Sequence, residues 1–311
     1  MRRVGWNRDS RHPADVYEQR GREQWQLIKS LLPADWSFQG KRVLDFGSGP
    51  GRMLTHALAE DPQAEYSGCD VDARAIVWAQ ANLPGSLRMF RIDDWPPIEL
   101  PDGHFDLIFA FSVFTHLADS WSAWLVELHR LLAPDGLLIV TVFGPGAVQF
   151  GENPISEALI GMNLFHPGNP WDLGGPLLAH SEWWLHAHWG TAFEIVELRR
   201  GDPSGAPPLY GQAILVMRRR PVVVTREQLE AAEPDEPREL TAAQQNVASL
   251  RREAEAQATE IRMYATSNSW RLTAPLRALG WQARLHLGPR LAGLSRRPTK
   301  DDPAAGDSAV T

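Results

Sequence analysis

The sequence predicts an α/β protein built on a doubly wound, seven-stranded, mostly parallel sheet, followed by a helical tail. Three observations carry that reading. Short apolar runs bounded by turn residues alternate with stretches of helical periodicity between residues 43 and 143, the rhythm of a parallel sheet covered on both faces. FDLIFAFSV, from Phe105 to Val113, is apolar almost without interruption, as a strand buried on both faces requires. From residue 240 the rhythm gives way to an apolar repeat of seven residues, which a sheet cannot use and a coiled coil can.

Along the chain, Val16, Trp25, Ile28, Leu31 and Leu32 recur at roughly helical spacing before Pro33, so a helix leads into the sheet. A buried strand then enters the turn VLDFGSGPGR, Val43 to Arg52. Helix over Met53–Ala59, strand over Glu65–Asp70, helix over Ala73–Asn82 and strand over Leu87–Ile92 follow, then Phe105–Val113, a helix over Ser120–Leu132 and a strand over Gly136–Phe143. Residues 144–190, rich in Gly, Pro, His and Trp and without sustained periodicity, predict an irregular insertion lying over the sheet. Phe193–Leu198 and Gln212–Met217 read as two further strands, and the GDPSGAPP between them suits an antiparallel hairpin, not a helical crossover.

The main domain is thus expected over residues 1–220. The acidic, proline-bearing stretch 221–239 has a linker's composition. In 240–268, Leu240, Val247, Ala254 and Ile261 lie seven apart, with Ala243, Leu250 and Tyr264 in the companion positions and Gln257 interrupting. Two readings fit: a coiled coil joining copies of the chain, or one helix packed on the main domain. Between Trp270 and Lys300 there are seven Lys and Arg, no acid, and interleaved Trp and Leu. A basic amphipathic helix over 269–294 would suit peripheral contact with an anionic membrane through 269–300, or a partner protein. Residues 295–311 are expected to be disordered.

Composition narrows the function. With 311 residues and 43% hydrophobic content, the chain can bury a large core and still carry an appendage. The net charge of -7 divides unevenly: residues 1–220 hold 19 Lys and Arg against 26 Asp and Glu, and 221–311 hold 12 against 12. Without a basic footprint, nucleic acid is not an expected partner. Cys69 stands alone, which allows neither an internal disulfide nor a thiolate metal cluster and fits a reducing cytoplasm. No metal site is expected. The first residues carry no apolar stretch of a signal peptide, and no run approaches the ~18 apolar residues of a membrane span.

The turn is the chemically informative segment. A strand that ends in Gly-x-Gly-x-Gly and opens a helix lets backbone N–H groups approach a ligand with no Cβ in the way. A dinucleotide fingerprint needs glycine at the first, third and sixth positions, and counting from Gly47 the sixth is Arg52. Asp45-Phe46-Gly47-Ser48-Gly49-Pro50-Gly51 resembles the first motif of the class I S-adenosylmethionine-dependent methyltransferases, and the likeness continues in order over residues ~40 to 145. It implies the Rossmann-like methyltransferase fold with S-adenosyl-L-methionine as cofactor. Asp70, in SGCDVD with Val71, matches the family's acid that accepts from both ribose hydroxyls; a carboxylate suits a vicinal diol because it offers two acceptors in one plane. Asp72 is expected to cap the next helix. Asp93 and Asp94 match the region that contacts the adenine amino group, and Phe111 and its neighbours match the loop flanking the methionine end. Asp45 could instead do no more than cap the turn.

Methyl transfer from a sulfonium needs an aligned acceptor, and a base where the acceptor is a hydroxyl. His116, just after the fourth strand, is the first candidate for that base, with a structural role as the alternative; His166, His180, His186 and His188 are spare candidates. Trp171, Trp183, Trp184 and Trp189 in the insertion could stack on pyranose rings of a carbohydrate or glycolipid acceptor, or fill the core under a long loop. SNSWRLTAPLRAL, Ser267 to Leu279, resembles a segment at the ends of coiled coils in bacterial surface-polysaccharide enzymes. Together these predict O-methylation of a glycan sugar close to the inner membrane. A non-catalytic scaffold for glycan synthesis and an NAD-dependent sugar-modifying enzyme are the competing readings, the latter disfavoured by Arg52.

Overall fold

Residues 13–144, 161–165, 176–231, 236–273 and 275 are described in the computed structural model of the chain. The chain divides into two units, Met1–Glu253 and Ala254–Thr311. In the first, α1 (Pro13–Leu31) precedes β1 (Arg42–Phe46), α2 (Arg52–Glu60), β2 (Glu65–Asp70), α3 (Ala73–Asn82), β3 (Arg88–Arg91), β4 (Phe105–Ala110), α4 (Trp121–Leu131) and β5 (Leu132–Val142). After the segment 145–160 come β6 (Met162–Phe165), β7 (Leu177–His180), α5 (Glu182–His188), β8 (Phe193–Arg199), β9 (Ala213–Arg219) and α6 (Arg226–Glu230). The long α7 (Pro237–Thr266) crosses the division between the units, and α8 (Asn268–Leu272) follows it.

Seven strands form one sheet in the order β3-β2-β1-β4-β5-β9-β8. The first five are parallel, β9 runs antiparallel to β5, and β8 and β9 form the expected antiparallel hairpin. Strand order reverses between β1 and β4, which opens a crevice at their carboxyl ends, the place where open α/β sheets bind ligands. This is the Rossmann-like methyltransferase fold. On one face the core is built from Trp25, Ile28 and Leu31 of α1 against Val43, Tyr66, Leu107 and Ile139; on the other, Leu44, Phe46 and Ile108 pack against Trp124 and Leu128 of α4. Each large apolar side chain so buried contributes roughly 1.5–3 kcal/mol. Asp72 does cap α3, its carboxylate accepting from the Arg74 N–H at 3.0 Å.

Three expectations change. The insertion is not irregular where it is described: β6 and β7 pair antiparallel, and Ser181 caps α5. The small sheet is fastened to the large one through main chain, since the Leu178 N–H donates to the Thr115 carbonyl and the His180 N–H to the Phe143 carbonyl, both at 2.8 Å. Gly144 permits this approach, because a Cβ on it would lie 1.7 Å from the His180 carbonyl oxygen. The stretch 221–239 does not start as a linker. Val224 and Leu229 join the core, Thr225 and Gln228 form a reciprocal capping box, and α6 bonds to α4 through Glu230 and Ser122. Its proline and acidic residues advertise exposure, whereas two apolar side chains decide its placement. The first unit accordingly extends to Glu253, past the expected end at 220.

The second unit holds the rest of α7 and α8, and all of its described residues but one, Ser267, are exposed. Most of the basic stretch 269–300 and all of 295–311 lie outside the described residues. Among the described residues no helix is long and apolar enough to cross a membrane.

His180 of β7 is wholly buried with neither ring nitrogen hydrogen-bonded, and burial, aided by His188, pushes its pKa down to about 3 from the usual 6.5. Above pH 6.5 the ring is neutral whether the chain is folded or not, and the fold keeps its full stability. Below that the unfolded chain takes up a proton that the folded one refuses, so stability falls by about 1.4 kcal/mol per pH unit toward pH 3. His180→Leu should show a correspondingly shallower loss over this window in denaturant melts; equal slopes would show that His180 does not titrate this way.

Candidate active site

The turn 47–51 leaves β1 at the crevice. Gly47 and Gly51 take left-handed backbone conformations with φ of 81° and 84°, which glycine adopts without steric cost. A Cβ on Gly47 would fall 2.3 Å from Cγ2 of Val113, so the loop after β4 packs directly on the turn. Gly49, in contrast, faces open space, with nothing within 4 Å of the position of a Cβ. Its N–H donates to Asp70 Oδ2 at 2.7 Å, while Asp70 Oδ1 accepts from the Asp72 N–H at 2.8 Å. One carboxylate thus fixes the turn to the end of β2 and keeps lone pairs on both oxygens for a further donor.

Asp45 lies beneath this turn. It is 1% exposed, and neither carboxylate oxygen has a hydrogen-bond partner. Burial raises its pKa well above the usual carboxylate range, with Arg52 opposing and Asp70 adding to the rise. The simple capping role for Asp45 is therefore overturned, because its oxygens bond to no turn N–H. Around it stand residues that the sequence reading did not place in the site. The Arg52 guanidinium donates to Gln24 Oε1 at 2.8 Å and lies 5.3 Å over the Tyr17 ring. Desolvation pushes the Tyr17 hydroxyl up to about 12. Gly21 lets α1 cross this close, since a Cβ there would meet Arg52 Cγ at 2.7 Å.

Other predicted residues are dispersed. Phe46 contributes no ring to the crevice: its side chain sits in the core, 4.9 Å from Trp124, as strand alternation dictates. Ser48 is buried, with its hydroxyl turned to the Cys69 carbonyl at 3.4 Å. Val71 is half-buried against the core and Phe111 packs edge-on against Phe109. Asp93 and Asp94 are both exposed beyond β3, Asp93 lying 3.9 Å from Arg91.

Past β4 the chain turns through Ser112, whose φ of 57° is unusual for a residue with a side chain. Two groups hold it there: Thr141 Oγ1 accepts its N–H at 2.8 Å, and the Gln212 amide donates to its hydroxyl at 2.8 Å. These bonds hold Ser112 in a sparsely populated conformation at the carboxyl end of the strand beside the turn. No local sequence signal reveals it, because Gln212 lies 100 residues away. His116 follows, its Nδ1 at 2.8 Å from the Pro176 carbonyl. A carbonyl only accepts, so Nδ1 carries a proton.

The spare histidines are set aside or untested. His188 is buried, with contacts from its ring nitrogens to the Leu229 carbonyl at 2.6 Å and Glu239 at 2.7 Å; His180 is the buried neutral ring described above; His186 is exposed on α5; His166 lies outside the described residues. Two of the four indoles proposed as a sugar platform, those of Trp184 and Trp189, are core residues, Trp183 is half-buried under the Arg238 guanidinium, and Trp171 is outside the described residues. Trp184 packs against Trp121 and Trp189 against Phe114, both within the main core. Among the described residues no cluster of His, Cys, Asp or Glu could hold a metal ion.

Residues 44–138 match the methyltransferase domain family. The match runs from β1 into β5 and so takes in the turn, Asp70 and the β4 loop. A malonyl-[acyl-carrier protein] O-methyltransferase of Geobacter sulfurreducens is 30% identical over 136 residues, 43% of this chain and 50% of that protein. A demethylmenaquinone methyltransferase of Thermus thermophilus is 36% identical over 107 residues, 34% of this chain and 48% of that one. The chain spans about half the length of these relatives. A crystal structure of an S-adenosylmethionine-dependent methyltransferase from Mesorhizobium loti shares 21% identity at a TM-score of 0.48, with 63% of this chain covering 98% of that one.

Gly47→Ala should lower stability by about 1–3 kcal/mol and weaken S-adenosylhomocysteine binding, through both the left-handed backbone and the Val113 contact. Adding Val113→Ala should restore only part of the loss in calorimetry and thermal melts. Unchanged binding in the single variant would show that the turn is not the cofactor's seat.

Proposed function

We propose that the protein is an S-adenosylmethionine-dependent methyltransferase that O-methylates a small acceptor, and that the acceptor is a sugar hydroxyl of a glycan precursor. The observation that supports the enzyme reading best is the turn itself: bare backbone open to ligand at Gly49, pinned by a carboxylate that retains acceptor capacity, above a buried carboxylate lacking a partner. These features fit the cofactor. The turn and the start of α2 would receive its amino acid end, and the Asp70 oxygens its ribose hydroxyls. The Asp45 carboxylate would meet its ammonium group, because a buried acid without a partner favours a cation. When bound, S-adenosylmethionine supplies a methyl group already activated on sulfur.

The chain then has to hold an acceptor and take up its proton. His116, whose Nδ1 is held by the Pro176 carbonyl at the seam between the β4 loop and the small sheet, is the side chain we assign to that proton. The sugar reading rests on the resemblance of Ser267–Leu279 to segments of surface-polysaccharide enzymes, and Trp184 and Trp189, as core residues, lend it nothing. A small carboxylic acid is the second acceptor class, favoured by the likeness to a malonyl-[acyl-carrier protein] O-methyltransferase.

Two measurements test these assignments. Because the raised Asp45 pKa belongs to the free protein, a cationic ligand should expel its proton on binding. S-adenosylhomocysteine affinity should therefore weaken as pH falls through that pKa, and Asp45→Asn should flatten the profile in calorimetry. A flat profile for the unaltered protein would separate Asp45 from the ammonium group. Methyl-labelled S-adenosylmethionine, offered with nucleotide sugars and lipid-linked saccharides or with small carboxylic acids, should label the sugars, and His116→Gln should lower kcat by about 10²–10⁴-fold with little change in KM. Labelling of the acids alone would replace the sugar reading, and no cofactor binding at all would restore the scaffold.

A further inference from the structure

Helix α7 carries two stripes that do different work. Over its first unit, Glu239, Ala242, Asn246, Ser249 and Glu253, three or four residues apart, are fully or partly covered. This face is fastened to the small sheet and α5. Asn246 donates to the Met162 carbonyl at 2.8 Å and accepts from the Leu164 N–H at 3.0 Å, so its amide pairs with the edge of β6 as another strand would. Glu239 meets His188 at 2.7 Å, and Gly161 leaves room for Ala242, whose Cβ would be 2.7 Å from any Cβ placed there.

The apolar heptad stripe is offset by one residue from that face and takes no part in the docking. Leu240, Val247, Leu250, Ile261 and Tyr264 are 65%, 48%, 45%, 67% and 62% exposed. An apolar stripe sustained over about four heptads, in a helix already held by its other face, is left over from the needs of its own chain. The sequence left open whether this helix packs on its own domain or pairs with another. The two stripes let it do both.

We infer that two copies of the chain pair through this stripe as a parallel, in-register, two-stranded coiled coil. Composition of the seam selects a second copy. β-Branched Val247 and Ile261 at one seam position with Leu250 at the other favour two parallel strands. Gln257, the polar break in the seam, meets its own copy in a parallel pair, where two side-chain amides satisfy each other and fix the register. The antiparallel register that matches every layer sets Gln257 against Val247, and places Glu253 against its own copy and Arg251 against its own copy. Parallel pairing creates none of these conflicts, and it brings Asn246 beside Arg251.

The test uses the full chain. Sedimentation across a concentration series should give twice 34.7 kDa at the upper end, and Val247→Asp with Ile261→Asp should leave monomers with unchanged helix content. Both sites are exposed in the single chain, so the variant should fold. Ile261→Cys should form an intermolecular disulfide under mild oxidation, because the sole native thiol, Cys69, is buried and does not compete. A monomer at every concentration, a dimer that survives both aspartates, or a dimer that cross-links only when Ala243→Cys accompanies Ile261→Cys would each overturn the inference, the last by showing antiparallel pairing. Monomers that co-float with phosphatidylglycerol vesicles through the same residues would assign the stripe to a membrane.

Discussion

Asp70 joins the ends of two strands and a turn that would otherwise be free to move apart. Its two oxygens accept from Gly49 and Asp72, so one side chain positions both the bare backbone beside β1 and the cap of α3. Charge-assisted hydrogen bonds to backbone N–H groups are among the strong ones, which suits a turn with few side chains to pack. Because Val113 closes on Gly47 from the other side, the turn is held between β2 and the β4 loop. The crevice is then shaped by rigid strand ends, with little left to loop conformation.

From the β4 loop the same order spreads outward. Ser112 is held by Thr141 and Gln212, and His116 by Pro176, so two residues of that loop are tied to different elements. Asp45 stands apart as the one large electrostatic debt in the region: a carboxylate removed from water and left without a hydrogen bond. Such a group is costly in an isolated fold. Under the function proposed above, its position beneath the glycine turn gives that cost a use once a cation is nearby.

The parallel strands, the glycine turn, Asp70 and the cap at Asp72 were legible because each rests on local chemistry: apolar runs, absent side chains, a carboxylate at a strand end. The hairpin of β8 and β9 followed from the length of its connection alone. The β6–β7 sheet was not legible, because strands of four residues are too short for alternation to show. Helix α6 was masked by the prolines and acids around it, although its capping box was present in the sequence. The Phe46 side chain faces the core for a plain geometric reason, since successive residues of a strand face opposite sides. Ser112, Arg52 and Tyr17 needed contacts between segments distant in the chain.

The small sheet meets the large one through main-chain groups: the carbonyls of Thr115 and Phe143 receive its N–H donors, and the Pro176 carbonyl receives His116. Fastenings of that kind are indifferent to which side chains the strands carry, provided Gly144 remains small. The partly exposed positions of its strands, Leu164 and Leu177 among them, can therefore be exchanged over generations without unseating it.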